Sequence, residues 1–331
     1  MKIFFVGDFH NNNGPANVNK NYRENLKYNK NITYSIMKNK ITRILEIIYK
    51  ISKTDIVLIS GLSKMQLLAC KIAKKQNKKV IYLMHGYAKQ EYMVNEVPVE
   101  KRTLETIESN MLEYADKIVC VSENFTKFLI NERKDLQKKI TFVNNGIDMA
   151  SIESKSKDNT TYTIISVGGG MKIKGNLNIC KAIEKINNIN IKFVVIGSKD
   201  KDGEQIEKYK FVQYYEKLEH NEVLNKMQQA DLYIQNSKFE TFGLAIFEAI
   251  SKGCKILVSK QVGALSIIKN ISPNSMINDT EDISEIEEKI RFAYKNKDEN
   301  VKYIENYNQY TWSEAAKKLL EICNGDGTNE K

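Results

Sequence analysis

Two carboxylates stand eight residues apart, Glu240 and Glu248, in the stretch NSKFETFGLAIFEAISKG over 236–253. Between residues 241 and 251, Glu248 is the only charged residue, in a segment whose other side chains are mostly apolar. A helix that is apolar nearly all round is normally buried, and an ionised carboxylate inside a protein needs hydrogen bonds or a partner charge. Either an internal cation neutralises Glu248, or this carboxylate binds hydroxyl groups of a ligand.

The residues between these carboxylates predict a phosphate site. Glu240 comes just before the helix, and the turn that leads into it contains Phe242, Gly243 and Leu244. N–H groups at a helix start have no acceptor within the helix and suit phosphate. A carboxylate on each side of that phosphate could hold hydroxyls, and a sugar nucleotide has this shape: sugar, diphosphate, ribose.

A second glycine-rich turn favours the same ligand. In SVGGGMKIKG, 166–175, a predicted strand ends at three glycines that include Gly169, followed by Lys172 and Lys174. Glycine lets backbone amides approach an anion, and lysine adds positive charge. The spacing matches neither the P-loop nor the dinucleotide-binding motif. The alternative is a tight strand-to-helix turn that binds nothing.

The elements that position these turns alternate between strand and helix. In the first half, β-branched runs predict strands at 3–6, 55–60, 79–84, 117–122 and 140–143, with helices predicted at 17–30, 39–52, 63–76, 99–114 and 122–132. In the second half, strands are predicted at 163–167, 192–196, 211–214, 232–235 and 255–259, with helices at 176–189, 221–229, 243–252, 283–295 and 312–322. Continuous apolar strands between helices indicate parallel sheets covered on both faces. We therefore expect an α/β fold of two doubly wound, Rossmann-like domains.

The expected domains are an N-terminal one over 1–155, a C-terminal one over 156–310, and a final helical segment, 311–331, that packs back on the first domain. Ligands of doubly wound sheets lie at the carboxyl ends of the strands. Two such domains facing each other would share a cleft.

The bulk composition narrows the class of protein. The 331 residues are 42% hydrophobic and 28% charged, without a run of about 18 uncharged apolar residues that could cross a membrane. Five scattered cysteines without C-x-x-C spacing, and an early acid at Asp8 in place of a signal peptide, favour a cytoplasmic protein with reduced thiols.

Positive charge is concentrated in the first half. Residues 1–150 hold 25 basic and 15 acidic residues, whereas residues 151–331 hold 26 of each. The net charge of +10 therefore belongs to the first half. It reflects either a lysine-rich composition or a surface that faces anions, such as acidic lipids or nucleic acid.

The chain resembles the retaining glycosyltransferases of family four, also described as glycosyl transferases group 1, which have the two-domain GT-B fold. The resemblance covers most of the chain and is strongest over 163–268. It is carried by ADKIVCVSENFTKFL (115–129), NNGID (144–148), VGGGMKIKG (167–175), FVVIG (193–197), ADLYIQNSKFETFGLAIFEAISKG (230–253) and VGA (262–264).

The resemblance implies a role for each donor-site residue. Glu240 would contact the transferred sugar, and Glu248 would bind the ribose hydroxyls. Backbone N–H groups around Phe242–Leu244 would hold the diphosphate together with Lys174. The family usually has arginine where this chain has Gly169, so Lys172 or a residue of the first domain would have to supply that charge. Other departures are Asn236, Ala264 and Ile267, which leave the sugar donor undetermined.

The resemblance also implies roles for two features of the first half. The loop GDFHNNNGPANVNKN, 7–21, would face the donor, with Gly14 permitting close backbone approach and Asn17 or Lys20 making polar contacts. His85, at the end of a predicted strand, matches the family's first-domain histidine near the sugar. The alternatives are a plain surface turn and a structural histidine.

Basic residues at helical spacing predict an acceptor or membrane face in the first domain. Lys20, Arg23, Lys27 and Lys30 recur every three or four residues, close to Asn17. Such a face suits an acidic bilayer or a lipid-linked acceptor, although a solvated helix face would look the same. The pair Asp200 and Asp202 lies in a charged run, and no metal or cofactor is expected.

The function expected from the sequence is metal-independent transfer, with retention, of a hexose or N-acetylhexosamine. The donor would be a nucleotide-sugar, with UDP favoured, and the acceptor a glycan or lipid-linked saccharide in bacterial surface polysaccharide synthesis. The enzyme would be cytoplasmic, and the basic face of the first domain suggests a peripheral position on the inner face of the plasma membrane. Alternatives are a GT-B sugar-nucleotide epimerase and a non-catalytic partner subunit; no nucleic-acid-binding motif is visible.

Overall fold

The computed structural model describes residues 1–11, 13–148, 160–297, 299 and 301–325. The chain divides into two compact units. Unit 1 contains Met1–Tyr92, Val97–Gly146 and the segment from Asn308 onward, and unit 2 contains Met93–Glu96 and Ile147–Tyr307. The domain boundary expected after residue 155 falls outside the described residues.

Unit 1 is built on a six-stranded parallel sheet. Its strands are β1 (Ile3–Val6), β2 (Ile32–Tyr34), β3 (Ile56–Ser60), β4 (Lys79–Met84), β5 (Lys117–Cys120) and β6 (Ile140–Phe142). Their spatial order is β2-β1-β3-β4-β5-β6, and every pair is parallel. All residues of β1 and β3 are buried, as their continuous apolar sequence requires in a sheet covered on both faces.

Helices connect these strands. They are α1 (Gly14–Leu26), α2 (Lys40–Ser52), α3 (Lys64–Lys75), α4 (Ala88–Val94), α5 (Thr103–Tyr114) and α6 (Glu123–Glu132). Four of them begin at a side-chain cap, a local signal readable in the sequence: the caps are Asn13, Asn39, Ser63 and Ser122.

Unit 2 has a second six-stranded parallel sheet. Its strands are β7 (Tyr162–Val167), β8 (Ile191–Ile196), β9 (Val212–Tyr215), β10 (Leu232–Gln235), β11 (Lys255–Ser259) and β12 (Met276–Ile277). The spatial order is β12-β11-β10-β7-β8-β9. The chain moves outward from β7 in one direction, returns to β10, and then continues in the other, which is the doubly wound arrangement.

The helices of unit 2 are α7 (Asn176–Glu184), α8 (Gly203–Ile206), α9 (His220–Gln229), α10 (Leu244–Ser251) and α11 (Ile283–Lys295). Helix α7 packs on α11. Their apolar sides join a buried cluster that includes Phe193, Ile234, Leu257 and Ile286, each with no accessible surface. This core holds the carboxyl ends of β7 and β10 in place.

The last helix, α12 (Trp312–Asn324), belongs to unit 1 and packs against α1. The Trp312 ring meets the buried Tyr22 ring edge to face, with centroids 5.6 Å apart. Gly146 leaves the room for this contact, because a Cβ there would lie 2.4 Å from the Trp312 Cα.

Most expected elements are present, with differences at their ends. Two short strands, β2 and β12, and two short helices, α4 and α8, were not expected from the sequence. Helix α1 begins at Gly14 rather than at residue 17, so half of the expected N-terminal loop is helical. No helix within the described ranges combines the length and apolar character needed to cross a bilayer.

Candidate functional site

The two turns singled out in unit 2 lie side by side. Strands β7 and β10 are neighbours in the sheet, and the strand order reverses between them. Loops that leave a parallel sheet at such a point separate and open a crevice at the carboxyl ends of the strands. The glycine-rich turn follows β7, and the Glu240 turn follows β10.

Glu240 is held at the centre of this crevice by two donors. Its Oε2 accepts hydrogen bonds from the Lys174 ammonium at 2.6 Å and from the Gln235 amide at 2.9 Å. The side chains of Glu240 and Lys174 are 17% and 20% exposed, so the pair is largely withdrawn from water but still reachable. The structure therefore brings together two residues that are 66 positions apart in the chain.

Gln235 extends this network into the core. Its Oε1 accepts a hydrogen bond from the buried Tyr233 hydroxyl at 3.0 Å. The sequence analysis did not identify either residue. The glutamine at the end of the apolar strand LYIQ could have indicated a polar contact, because a buried amide must find hydrogen-bond partners. The chain of bonds from Tyr233 through Gln235 restrains the Glu240 carboxylate.

Helix α10 begins beside Glu240. Gly243 lies at its N-cap in the left-handed region, with φ of +99°, and the backbone of Phe242 is fixed by the Ala264 N–H at 2.7 Å. No acceptor within the described residues takes the N–H groups of Gly243, Leu244 or Ala245. These N–H groups can bind an anion next to the Lys174–Glu240 pair.

Helix α10 is not buried all round, so that expectation is wrong. Leu244, Ala245 and Glu248 share a partly exposed side, and the Glu248 side chain is 32% exposed. His220 lies on the surface, with its side chain 60% exposed, and its Nε2 is 3.9 Å from the Glu248 Oε1. Desolvation raises the pKa of Glu248; His220 opposes this shift and Asp148 adds to it.

The packing of the backbone requires glycine in the glycine-rich turn. Gly169 has φ of +59°, and a Cβ there would lie 2.1 Å from the Ser198 carbonyl oxygen and 2.5 Å from the Gly197 carbonyl carbon. The arginine that the family resemblance leads us to expect at this position could not be accommodated without moving the backbone. Its absence is therefore built into the packing of this turn.

The two lysines of the turn have different partners. Lys174 contacts Glu240, whereas Lys172 forms a 2.6 Å ion pair with Glu96, and the Ile173 N–H donates to the Asn95 side chain at 3.0 Å. In this structure Lys172 is thus engaged with the Met93–Glu96 segment of unit 2 rather than with Glu240.

His85 lies at the equivalent point of the other sheet. It follows β4, and its Nε2 is 2.7 Å from Ser60 Oγ at the end of β3. Ser60 Oγ donates to Asn19 Oδ1 at 2.5 Å, and Asn19 Nδ2 donates to the Asp8 carbonyl at 3.1 Å. Because Ser60 gives its only proton to Asn19, His85 must donate from Nε2, which leaves Nδ1 as its acceptor nitrogen. Burial lowers the pKa of His85 to about 4, so the ring is neutral near pH 7.

The predicted residues around α1 are less closely grouped. Gly14 is the first residue of α1, and a Cβ there would meet no described atom within 4 Å, so the fold does not require glycine. Asn17 and Lys20 are half-buried on the helix.

The basic face predicted along α1 is only partly formed. Lys27 caps the helix and Lys30 lies beyond it, so these four cations do not share one helix face. Lys27 is paired with Glu24, and the Arg23 guanidinium lies over the rings of Phe9 and Tyr34, at 5.9 and 5.8 Å from the centroids.

Comparison with known structures shows the fold. HepE of Anabaena in complex with UDP-glucose aligns with a TM-score of 0.75 at 12% identity, covering 98% of this chain and 100% of that chain. Sucrose-phosphate synthase of Thermosynechococcus elongatus aligns with a TM-score of 0.71 at 13% identity, covering 98% and 99%. The lipopolysaccharide outer core galactosyltransferase WaaB, in its apo form, aligns with a TM-score of 0.66 at 16% identity, again covering 98% and 99%. A search of the curated proteins found no sequence match.

The amino-acid sequence of the second unit matches a known family. Residues 149–310 match the family model described as glycosyl transferases group 1, a segment that includes the glycine-rich turn, Glu240 and Glu248. This part of the chain belongs to the glycosyl transferases group 1 family, and the protein has the GT-B fold.

Proposed function

We propose that this glycosyltransferase moves a hexose or N-acetylhexosamine from a UDP-sugar to a hydroxyl of a glycan or lipid-linked saccharide, with retention of anomeric configuration. The observation that carries the proposal is the Lys174–Glu240 pair at the start of α10, beside N–H groups that have no acceptor in the described chain. The UDP-glucose bound by HepE, which shares the fold, supports UDP as the nucleotide.

Each group at this position has a task in such a transfer. The diphosphate would bind to the N–H groups of Gly243 and Leu244 and to Lys174, which offset the negative charge that develops as the sugar leaves. A diphosphate would compete with Glu240 for the Lys174 ammonium, so donor binding frees the Glu240 carboxylate to accept hydrogen bonds from the sugar. The acceptor hydroxyl oxygen would bond to the anomeric carbon on the face from which the diphosphate leaves as UDP, and a phosphate oxygen of the leaving diphosphate would take the acceptor proton. The enzyme then needs no nucleophile of its own.

Glu248 is proposed to bind the ribose hydroxyls. Its half-buried side chain, one turn inside α10, accepts no hydrogen bond from another side chain of the described protein, and His220 lies 3.9 Å away. A ribose diol could donate two hydrogen bonds to this carboxylate. Its raised pKa would return towards the ordinary range on binding, because donors to a carboxylate favour its ionised form.

The class of product is proposed with support from a protein of similar structure. Lipopolysaccharide synthesis by WaaB, a protein of the same fold, is consistent with a role in bacterial surface polysaccharide synthesis. We also propose that transfer needs no metal ion, so that full turnover should persist in EDTA.

The test distinguishes the proposed roles of the Glu240 and Glu248 carboxylates. Glu240→Gln should lower kcat by at least ~100-fold while UDP still binds, because the sugar contact is lost and the nucleotide contacts remain. Glu248→Gln should weaken UDP binding by roughly 10-fold, measured by calorimetry. Glu207→Gln, which removes a surface partner of Lys199, is the matched control and should leave both quantities unchanged.

Wild-type turnover in both Glu240→Gln and Glu248→Gln would refute the proposal. A panel of UDP-, GDP- and TDP-sugars in a thermal-shift assay identifies the donor, since a bound donor stabilises the folded state. Incubation with that donor alone tests the rival epimerase function. Formation of an epimerised nucleotide-sugar without release of free nucleotide would show that the protein is an epimerase and not a transferase.

A further inference from the structure

Helix α2 exposes a stripe of large apolar side chains. Ile41, Leu45, Ile48 and Tyr49 are 70%, 62%, 44% and 59% exposed. Their spacing places them within an arc of roughly 100° on the helix surface. The opposite side of the same helix, with Ile47 and Ile51, is fully buried in the core of unit 1. The exposed stripe is therefore separate from the apolar side by which α2 packs in the core.

The loop before α2 extends this stripe. Ile36 and Met37 are 50% and 42% exposed, and their N–H groups donate to the Glu46 carboxylate at 3.0 and 3.1 Å. Lys50 holds the same carboxylate at 2.7 Å and donates to the Tyr34 carbonyl at 2.6 Å. The buried Glu46 thus ties the loop to the helix, and Ile36 and Met37 are held next to the helical stripe. We call residues 36–53 the α2 surface.

Positive charge surrounds the apolar residues of the α2 surface. The segment 36–53 has five basic residues and a single acid, Glu46, for a net charge of +4. Lys38 and Lys40 at one end and Lys53 at the other are exposed. Because the only acid is buried and paired with Lys50, no negative charge of this segment faces solvent.

We propose that the α2 surface docks on a membrane that contains acidic phospholipids, with the helix lying in the plane of the interface. Apolar side chains flanked by lysine are what such an interface binds: the stripe enters the boundary between headgroups and acyl chains, and the lysines meet lipid phosphates. At 13 residues the helix is too short to span the bilayer. A second copy of the chain fits less well, because two identical surfaces would bring +4 against +4.

This assignment moves the membrane-facing surface from α1 to α2. Tyr22 and Leu26, which the sequence places beside the basic residues of α1, are 0% and 6% exposed and cannot insert, and the 86% exposed Tyr28 lies beyond the end of the helix. The proposal is independent of the transfer reaction, since no residue of the α2 surface belongs to the donor site.

The test is sedimentation of the full chain with vesicles of phosphatidylcholine alone or with 30% phosphatidylglycerol. The wild type should sediment with the acidic vesicles and remain in solution with the neutral ones. Leu45→Glu should lower the vesicle partition coefficient at least ~10-fold, because it removes inserted apolar surface and adds a repelled charge. The triple variant Lys38→Gln, Lys40→Gln, Lys53→Gln should lower it roughly 100-fold, at about 1 kcal/mol per lysine.

The matched control is Val99→Glu, the same kind of change at a 76% exposed apolar residue of unit 1 outside the α2 surface. It should bind acidic vesicles like the wild type. Leu45→Gln, which adds no charge, should show an intermediate loss, and unchanged thermal unfolding confirms that the variants are folded. Wild-type sedimentation of Leu45→Glu would overturn the proposal. The proposal would also be overturned if the wild type bound no vesicles and light scattering showed it to be a dimer that Leu45→Glu abolishes.

Discussion

The packing at Gly169 yields a prediction that distinguishes the fold from the family pattern. Gly169 and Gly197 meet backbone against backbone, and a Cβ on either would lie within 2.6 Å of the other turn. This contact cannot relax easily, since the Gly168 and Gly169 N–H groups both donate to the Ile196 carbonyl at 2.7 and 2.9 Å. We therefore expect Gly169→Ala to destabilise unit 2 strongly.

The magnitude follows from two contributions. A left-handed conformation costs a non-glycine residue ~1–2 kcal/mol, and forcing extra volume into a packed site costs another ~1–3 kcal/mol. Together they predict a loss of about 2–5 kcal/mol. For a unit of this size, that corresponds to a fall in Tm of roughly 4–20 °C.

The assay is thermal unfolding with parallel turnover measurements. Gly14→Ala is the control, because a Cβ there meets nothing described within 4 Å, and it should leave Tm unchanged. Gly169→Arg, which introduces the residue expected from the family resemblance, should be at least as unstable as Gly169→Ala and should gain no activity. A Gly169→Ala Tm within about 1 °C of the wild type, or faster turnover in Gly169→Arg, would refute the steric reasoning.

Two further predictions concern buried polar groups. Gln235→Leu should lower kcat by roughly 10–100-fold with little change in KM, because Glu240 loses one of its two donors; equal losses in Glu207→Gln would show that the effect is not specific. Glu108, whose carboxylate accepts the Ala88 N–H at 2.8 Å, has its pKa raised to about 8, mainly by desolvation. A raised carboxyl pKa means that its stabilising effect is complete below about pH 4.5 and is lost as the pH rises towards 8. Urea unfolding should therefore show Glu108→Gln gaining up to a few kcal/mol over the wild type between pH 5 and pH 9; parallel stability curves for the two proteins would contradict this.

Local sequence patterns predicted most of the fold. Strands β4, β10 and β11 begin and end where their apolar runs do, because every residue of a doubly covered parallel strand must tolerate burial. Helix α6 was expected over 122–132, and Ser122 is its N-cap, accepting the Phe125 N–H at 3.0 Å. The three-residue strand β2 lies at a sheet edge and is too short to leave a pattern.

The two turns of the candidate site were also visible in the sequence, since glycines before lysines and a lone acid in an apolar helix are unusual. What each side chain contacts was not visible. The glycine-rich turn by itself did not separate Lys172 from Lys174, and the resemblance assigned the diphosphate to Lys174 and the charge missing at Gly169 to Lys172 or to the first domain. In the structure Lys174 contacts Glu240, whereas Lys172 binds Glu96.

The amino-acid sequence by itself determined the elements, the caps and the residue types at the carboxyl ends of the strands, because these depend on neighbours within a few positions. Only the tertiary structure decided which of those residues meet. Strand order places β7 beside β10 and so joins Lys174 to Glu240. In the same way, packing of the backbone at Ser198 excludes an arginine at Gly169, and the Glu46 carboxylate fastens a loop to α2. Contacts of this kind link residues from distant parts of the chain, and their geometry exists only once both sheets are formed.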